Sequence, residues 1–181
     1  PVDSVMMVTL YMDDEGIMPL ILEDGRIEII ISNSQLSAKG TLLNNALYEF
    51  IEKRNAMEVE MGELERKEAR MVLDGANLED VHEQLAKEEE TLAKEMNDYV
   101  KDFIIENYEN VLGPGVFMMM CSTLPYPIMT PRIEEIMRTA PLIFKENAFV
   151  KDFLSKAKQN MQLLEEHKRL QQSSETTDMQ H

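Results

Sequence analysis

The chain has 181 residues, with 34 acidic and 18 basic side chains, a formal charge of −16 and 44% hydrophobic content. That length suffices for one domain with a hydrophobic core, and so acidic a surface repels phosphate backbones and anionic lipid headgroups, which excludes nucleic acid and membrane surfaces as expected partners. The single cysteine, Cys121, rules out an internal disulfide, and no apolar run approaches the roughly 20 residues that span a bilayer.

The first forty residues read as β structure. Val5 to Met12 is apolar and β-leaning and ends at the polar turn Asp13-Asp14-Glu15-Gly16. Ile17 to Leu22 and Arg26 to Ile31 follow, with Asp24-Gly25 between them predicting a hairpin, since both turn positions favour residues tolerant of positive φ. Pro19 points to an edge position or a late start for its strand, and a shorter fourth strand is expected from Gln35 to Lys39. Together these predict one small antiparallel sheet that needs a partner layer.

After Gly40 the apolar period changes to helical. Leu43, Leu47, Phe50, Met57, Met61, Leu64 and Met71 fall on one stripe, interrupted by Arg54 and Glu68. Asp74-Gly75-Ala76-Asn77 stops this helix, with Gly75 suited to a left-handed cap and Asn77 to the N-cap of the next. The second helix is expected to turn Leu78, Val81, Leu85, Leu92, Met96, Tyr99 and Phe103 inward and to end near Asn107. Two long helices joined so tightly predict an antiparallel hairpin.

Pro114 and Gly115 open a short helix that ends before Pro125. Thr130-Pro131 predicts the start of another, running to about Thr139. The last helix is expected from Ala148 to Gln171, with Phe149, Phe153, Ala157, Met161 and Leu164 as its apolar stripe. The fold class is therefore α+β. A β part spans 1–40, a helical part of the same domain spans 41–172, and a polar tail over 173–181 is expected to be disordered.

No catalytic, cofactor or metal site emerges from these residues. Cys121 follows Met118-Met119-Met120, and nearby sequence holds no base or cation to stabilise its thiolate. Successive methionines on a helix diverge, so they fill core space rather than converge on a soft metal. His82, His167 and His181 lie at no metal-ligand spacing. Asp13-Asp14-Glu15-Gly16 lacks the alternating ligands of a calcium loop. Glu88-Glu89-Glu90 occupies three consecutive helical positions that point apart, the pattern of a solvated face.

The run from Met18 to Ile31, which contains Leu22-Glu23-Asp24-Gly25-Arg26-Ile27, leads into Gly40-Thr41-Leu42-Leu43-Asn44-Asn45, continued to Phe50, and a long helical hairpin. With the later piece Glu146 to Lys151, this order resembles the uncharacterised domain that precedes thioredoxin-like domains in cell-envelope thiol-disulfide oxidoreductases of Gram-negative anaerobes. The resemblance covers about Met6 to Lys158. It implies a periplasmic or outer-membrane-associated, lipoprotein-like location and further strands upstream of Pro1, which would leave the sheet incomplete here. The redox CxxC of that family lies in the downstream domain, so no redox residue carries over.

The function expected is a non-catalytic accessory or interaction domain, with no enzyme activity and no cofactor. A protein partner is expected, a thioredoxin-like protein or a second copy of the chain. The alternative is a subunit or truncated product of a thiol-disulfide oxidoreductase working with a thioredoxin-like partner. A third reading is a helical scaffold that oligomerises through its Met-rich stripe.

Overall fold

The computed structural model of the chain describes residues 2–178, and its fold is α+β. Four strands come first: β1 (Met6–Met12), β2 (Glu15–Leu22), β3 (Glu28–Ile31) and β4 (Leu36–Lys39). Six helices follow: α1 (Leu42–Leu73), α2 (Leu78–Glu106), α3 (Leu112–Cys121), α4 (Pro131–Thr139), α5 (Leu142–Lys145) and α6 (Ala148–Asp178). The chain divides into two compact units, up to Phe103 and from Ile104 onward, and α2 runs through the division.

In the first unit the strands form two antiparallel pairs, β1 with β2 and β3 with β4. This corrects the hairpin expected at Asp24-Gly25, and with it the single sheet. The turn that does join two strands is Asp13-Asp14, whose φ angles of 51° and 65° are both positive. A two-residue loop of that kind matches the right-handed twist of its strands. β2 cannot turn back through Asp24-Gly25 onto β3, because the backbone along its far side is occupied by α1 and Glu23 leaves the strand to reach that helix. A bulge near Leu10 and Tyr11 shifts the β1–β2 register by one residue.

Helices α1 and α2 pack as an antiparallel hairpin. At its base Phe50 stacks on Phe103 with ring centroids 4.3 Å apart and on Tyr99 at 5.4 Å. The Lys53 ammonium lies 4.4 Å from the Tyr99 ring centroid. Further out, Lys67 pairs with Glu88 at 3.2 Å and His82 with Glu68 at 3.2 Å. The tip is a capped turn: Gly75 N–H donates to the Val72 carbonyl and Ala76 N–H to that of Met71. Gly75 takes φ +92°, and Asn77 Oδ1 accepts from the Glu79 and Asp80 amides. Leu78, expected inward, is exposed, because the first residue of α2 sits on the outside of this turn.

The second unit is built around Phe117, whose ring meets Phe144 at 5.5 Å and Phe153 at 5.6 Å, both edge-on. Tyr108 packs against Phe144 and donates its hydroxyl to the Ile136 carbonyl. Thr130 caps α4 through its Oγ1, which accepts from Ile133 N–H, and Pro131 opens the helix. The buried face of α6 is Val150, Phe153 and Ala157, so the expected stripe holds at Phe153 and Ala157 but not at its first member: Phe149 is 65% exposed. Asn147 caps the helix through the Phe149 and Val150 amides and turns Val150 to the core. Met161 and Leu164 are exposed, since this length of the helix packs on no core. The tail expected to be disordered continues as helical backbone to Asp178, with no proline or glycine to stop it; Met179 to His181 lie outside the described residues. No cis peptide bond occurs among the described residues.

Candidate functional site

The densest polar arrangement lies in the first unit, where β2 meets the start of α1. Asn44, in the first turn of the helix and fully buried, accepts the Ile21 amide on Oδ1 at 2.9 Å. Its Nδ2 donates to the Ile21 carbonyl at 2.8 Å. One side-chain amide thus reproduces the two hydrogen bonds that a neighbouring strand would make with Ile21. One turn later Tyr48 donates its hydroxyl to the Pro19 carbonyl at 2.7 Å, and burial pushes its phenol up to about 12. The side of β2 away from β1 is therefore closed by helix side chains.

Glu23 completes the joint from the strand end. Its Oε1 accepts the Leu43 and Asn44 amides at 2.9 and 3.1 Å, two of the four N–H groups that a helix start leaves unpaired. Thr41 occupies the N-cap position, but its Oγ1 accepts from Asn44 Nδ2 instead of from the helix backbone. Asn45 Oδ1 accepts the Gly40 amide at 2.9 Å. Gly40 has φ +103°, and a Cβ there would lie 2.4 Å from the Arg26 carbonyl oxygen, so only glycine fits. The residues that carry the family resemblance, Glu23, Gly40, Thr41 and Asn44, hydrogen-bond or pack against one another and the backbone. Their chemistry is spent on joining sheet to helix.

Cys121 sits in the second unit at the end of α3 and is 5% exposed. Burial pushes its thiol up to about 12, while the charge of Arg132 on α4 pulls the other way. Sequence proximity missed Arg132, which chain folding alone brings near. The balance leaves a protonated thiol at neutral pH, the opposite of what a nucleophilic or redox cysteine needs. Of the three methionines before it, Met120 is buried and Met118 and Met119 are half-buried, so they diverge as expected.

The remaining sequence candidates stay apart. Asp13 and Asp14 form the β1–β2 turn. Glu88 is engaged with Lys67, while Glu89 and Glu90 are exposed. His82 pairs with Glu68 near the hairpin tip, His167 is exposed on α6, and His181 lies outside the described residues. Among the described residues no group of three His, Cys, Asp or Glu side chains could hold a metal ion. No described helix is long and apolar enough to cross a membrane.

The strands, by contrast, leave apolar side chains in solvent: Met6, Tyr11 and Met12 of β1, Ile29 and Ile31 of β3, and Leu36 of β4. Sequence reading did not single them out, although the charge-free run Met6 to Met12 was a visible signal. No family model matches this chain, and no curated protein and no solved structure matches it either.

Proposed function

We propose that this chain is a non-catalytic accessory module of the cell envelope that acts by binding another protein. The observation that carries the reading is the apolar surface of the strands: Tyr11 and Met12 of β1 are more than half exposed, and Ile29, Ile31 and Leu36 of the β3–β4 pair are exposed as well. Apolar side chains left exposed on short strands mark interaction surfaces. The buried, protonated Cys121 supports the non-catalytic half, since a thiol-disulfide cycle needs an accessible thiolate. The envelope location and a thioredoxin-like protein as partner class rest on the resemblance carried by Met18 to Ile31 and Gly40 to Phe50.

The test is insulin reduction in the presence of dithiothreitol, comparing the chain with its Cys121→Ala variant. Equal rates, both at the dithiothreitol background, are expected. A rate above the variant overturns the non-catalytic reading.

A further inference from the structure

The β1–β2 pair is closed on one side only. Ile21 gives its amide and carbonyl to Asn44, and Pro19 gives its carbonyl to Tyr48, so at these positions β2 faces α1 and turns away from β1. Opposed residues of an antiparallel pair either exchange both hydrogen bonds or both face outward. Met7 and Thr9, which oppose Ile21 and Pro19, therefore present their N–H and C=O groups along the outer edge of β1, and alternation adds Tyr11. Among the described residues no strand pairs with that edge. Met6 to Met12 carries no charge, proline or lysine, the devices by which edge strands ordinarily avoid pairing.

Charge decides what fits there. Asp3 lies before the strand and Asp13, Asp14 and Glu15 after it, and from Val2 to Ala38 the only basic side chain is Arg26. A second copy aligned antiparallel about Thr9 would bring the Asp13-Asp14 turn of one chain alongside Asp3 of the other. Like charges so placed disfavour self-pairing. We infer that the outer edge of β1 accepts an extended segment of another protein as an added β-strand, apolar in its middle and carrying Lys or Arg at both ends. Backbone hydrogen bonds at Met7, Thr9 and Tyr11 hold the segment, and the flanking carboxylates select its basic ends.

The inference rests on the interaction reading above, but its failure would leave that reading and the insulin result untouched. The probe is a nine-residue peptide of alternating valine and threonine with lysine at both ends, added to the full chain. Amide hydrogen exchange is followed residue by residue. Expected is new protection at Met7, Thr9 and Tyr11 with little change at Val8 and Leu10, which already face β2. Glutamate in place of the terminal lysines should weaken binding about tenfold, with the gap narrowing in salt. Thr9→Pro, which removes an outward amide, should abolish the protection. Should that variant not fold, the same peptide N-methylated at alternate amides, added to the unaltered chain, makes the equivalent test. Protection unaltered by N-methylation, equal affinity for both peptides, or a chain dimer by sedimentation that the peptide does not dissociate would each overturn the inference.

Discussion

The side-chain amide of Asn44 pairs with both backbone groups of Ile21, 23 positions earlier in the chain, at 2.9 and 2.8 Å. Asn44→Leu leaves a buried amide and a buried carbonyl without partners. At about 1–3 kcal/mol for each such group, the expected loss is about 2–6 kcal/mol. Urea denaturation followed by circular dichroism measures it. Asn44→Asp keeps the acceptor for the Ile21 amide but sets a buried carboxylate against the Ile21 carbonyl and the Glu23 carboxylate, so it should cost at least as much as the leucine variant.

Glu23 stands in for the missing side-chain cap of α1. Glu23→Ala is expected to cost about 1 kcal/mol, the usual worth of a helix cap. Glu23→Gln keeps an acceptor oxygen but gives up the negative charge at the positive end of the helix, and should cost less. The midpoint of the same urea curve separates the two.

Gly113 permits a contact that no other residue allows. A Cβ there would lie 2.3 Å from the Asn107 carbonyl oxygen, backbone against backbone, with no flexible side chain to give way. Gly113→Ala should destabilise the second unit by about 1–3 kcal/mol or more, the range of overpacked cores. Gly62, which has open space around it, is the control: Gly62→Ala in the middle of α1 should stabilise by about 0.5–1 kcal/mol.

Ser37 is fully buried on β4, and its Oγ finds no hydrogen-bond partner among the described residues. Ser37→Ala removes an unpaired hydroxyl and leaves the packing in place. A gain of about 1 kcal/mol is expected, read as a higher urea midpoint with an unchanged slope.

Burial raises the Cys121 thiol from 9.0 and the Tyr48 phenol from 10.0, each to about 12. Above pH 9 the unfolded chain releases protons that the folded chain still holds, so stability is whole below that pH and falls as pH climbs toward 12. Cys121→Ala should flatten the first part of that decline. At pH 8 an aromatic disulfide reagent should find no reactive thiol in the folded chain and one in urea. Rapid reaction without urea would contradict the burial of Cys121.

Local signals placed most of the elements. The change of apolar period after Gly40, the Gly75 and Asn77 caps and Thr130-Pro131 each act within a few residues, and each stands where expected. The strand pairing was harder to read, because Asp13-Asp14 and Asp24-Gly25 both satisfy turn chemistry. What decides between them is Asn44, far downstream, occupying the side of β2 that a third strand would need. The joint had the same character: Glu23 and Asn44 stood in the quoted motif, but their roles depend on partners about twenty positions away. Phe149 and Leu78 were misplaced for a smaller reason. At the first turn of a helix an apolar period cannot say which of two adjacent positions faces inward.

From Met161 to Arg169 every residue of α6 is exposed, whereas Val150, Phe153 and Ala157 upstream are buried. That outer length is held by its own backbone hydrogen bonds and little else, and a helix so supported is marginal in water. It therefore opens without the second unit unfolding, at a fraction of the global free energy. Trypsin attacks open backbone in proportion to its population. Lys168 and Arg169 are thus the first sites cut in the second unit, while Lys151 and Lys156, also exposed, survive on the anchored turns until the whole unit gives way.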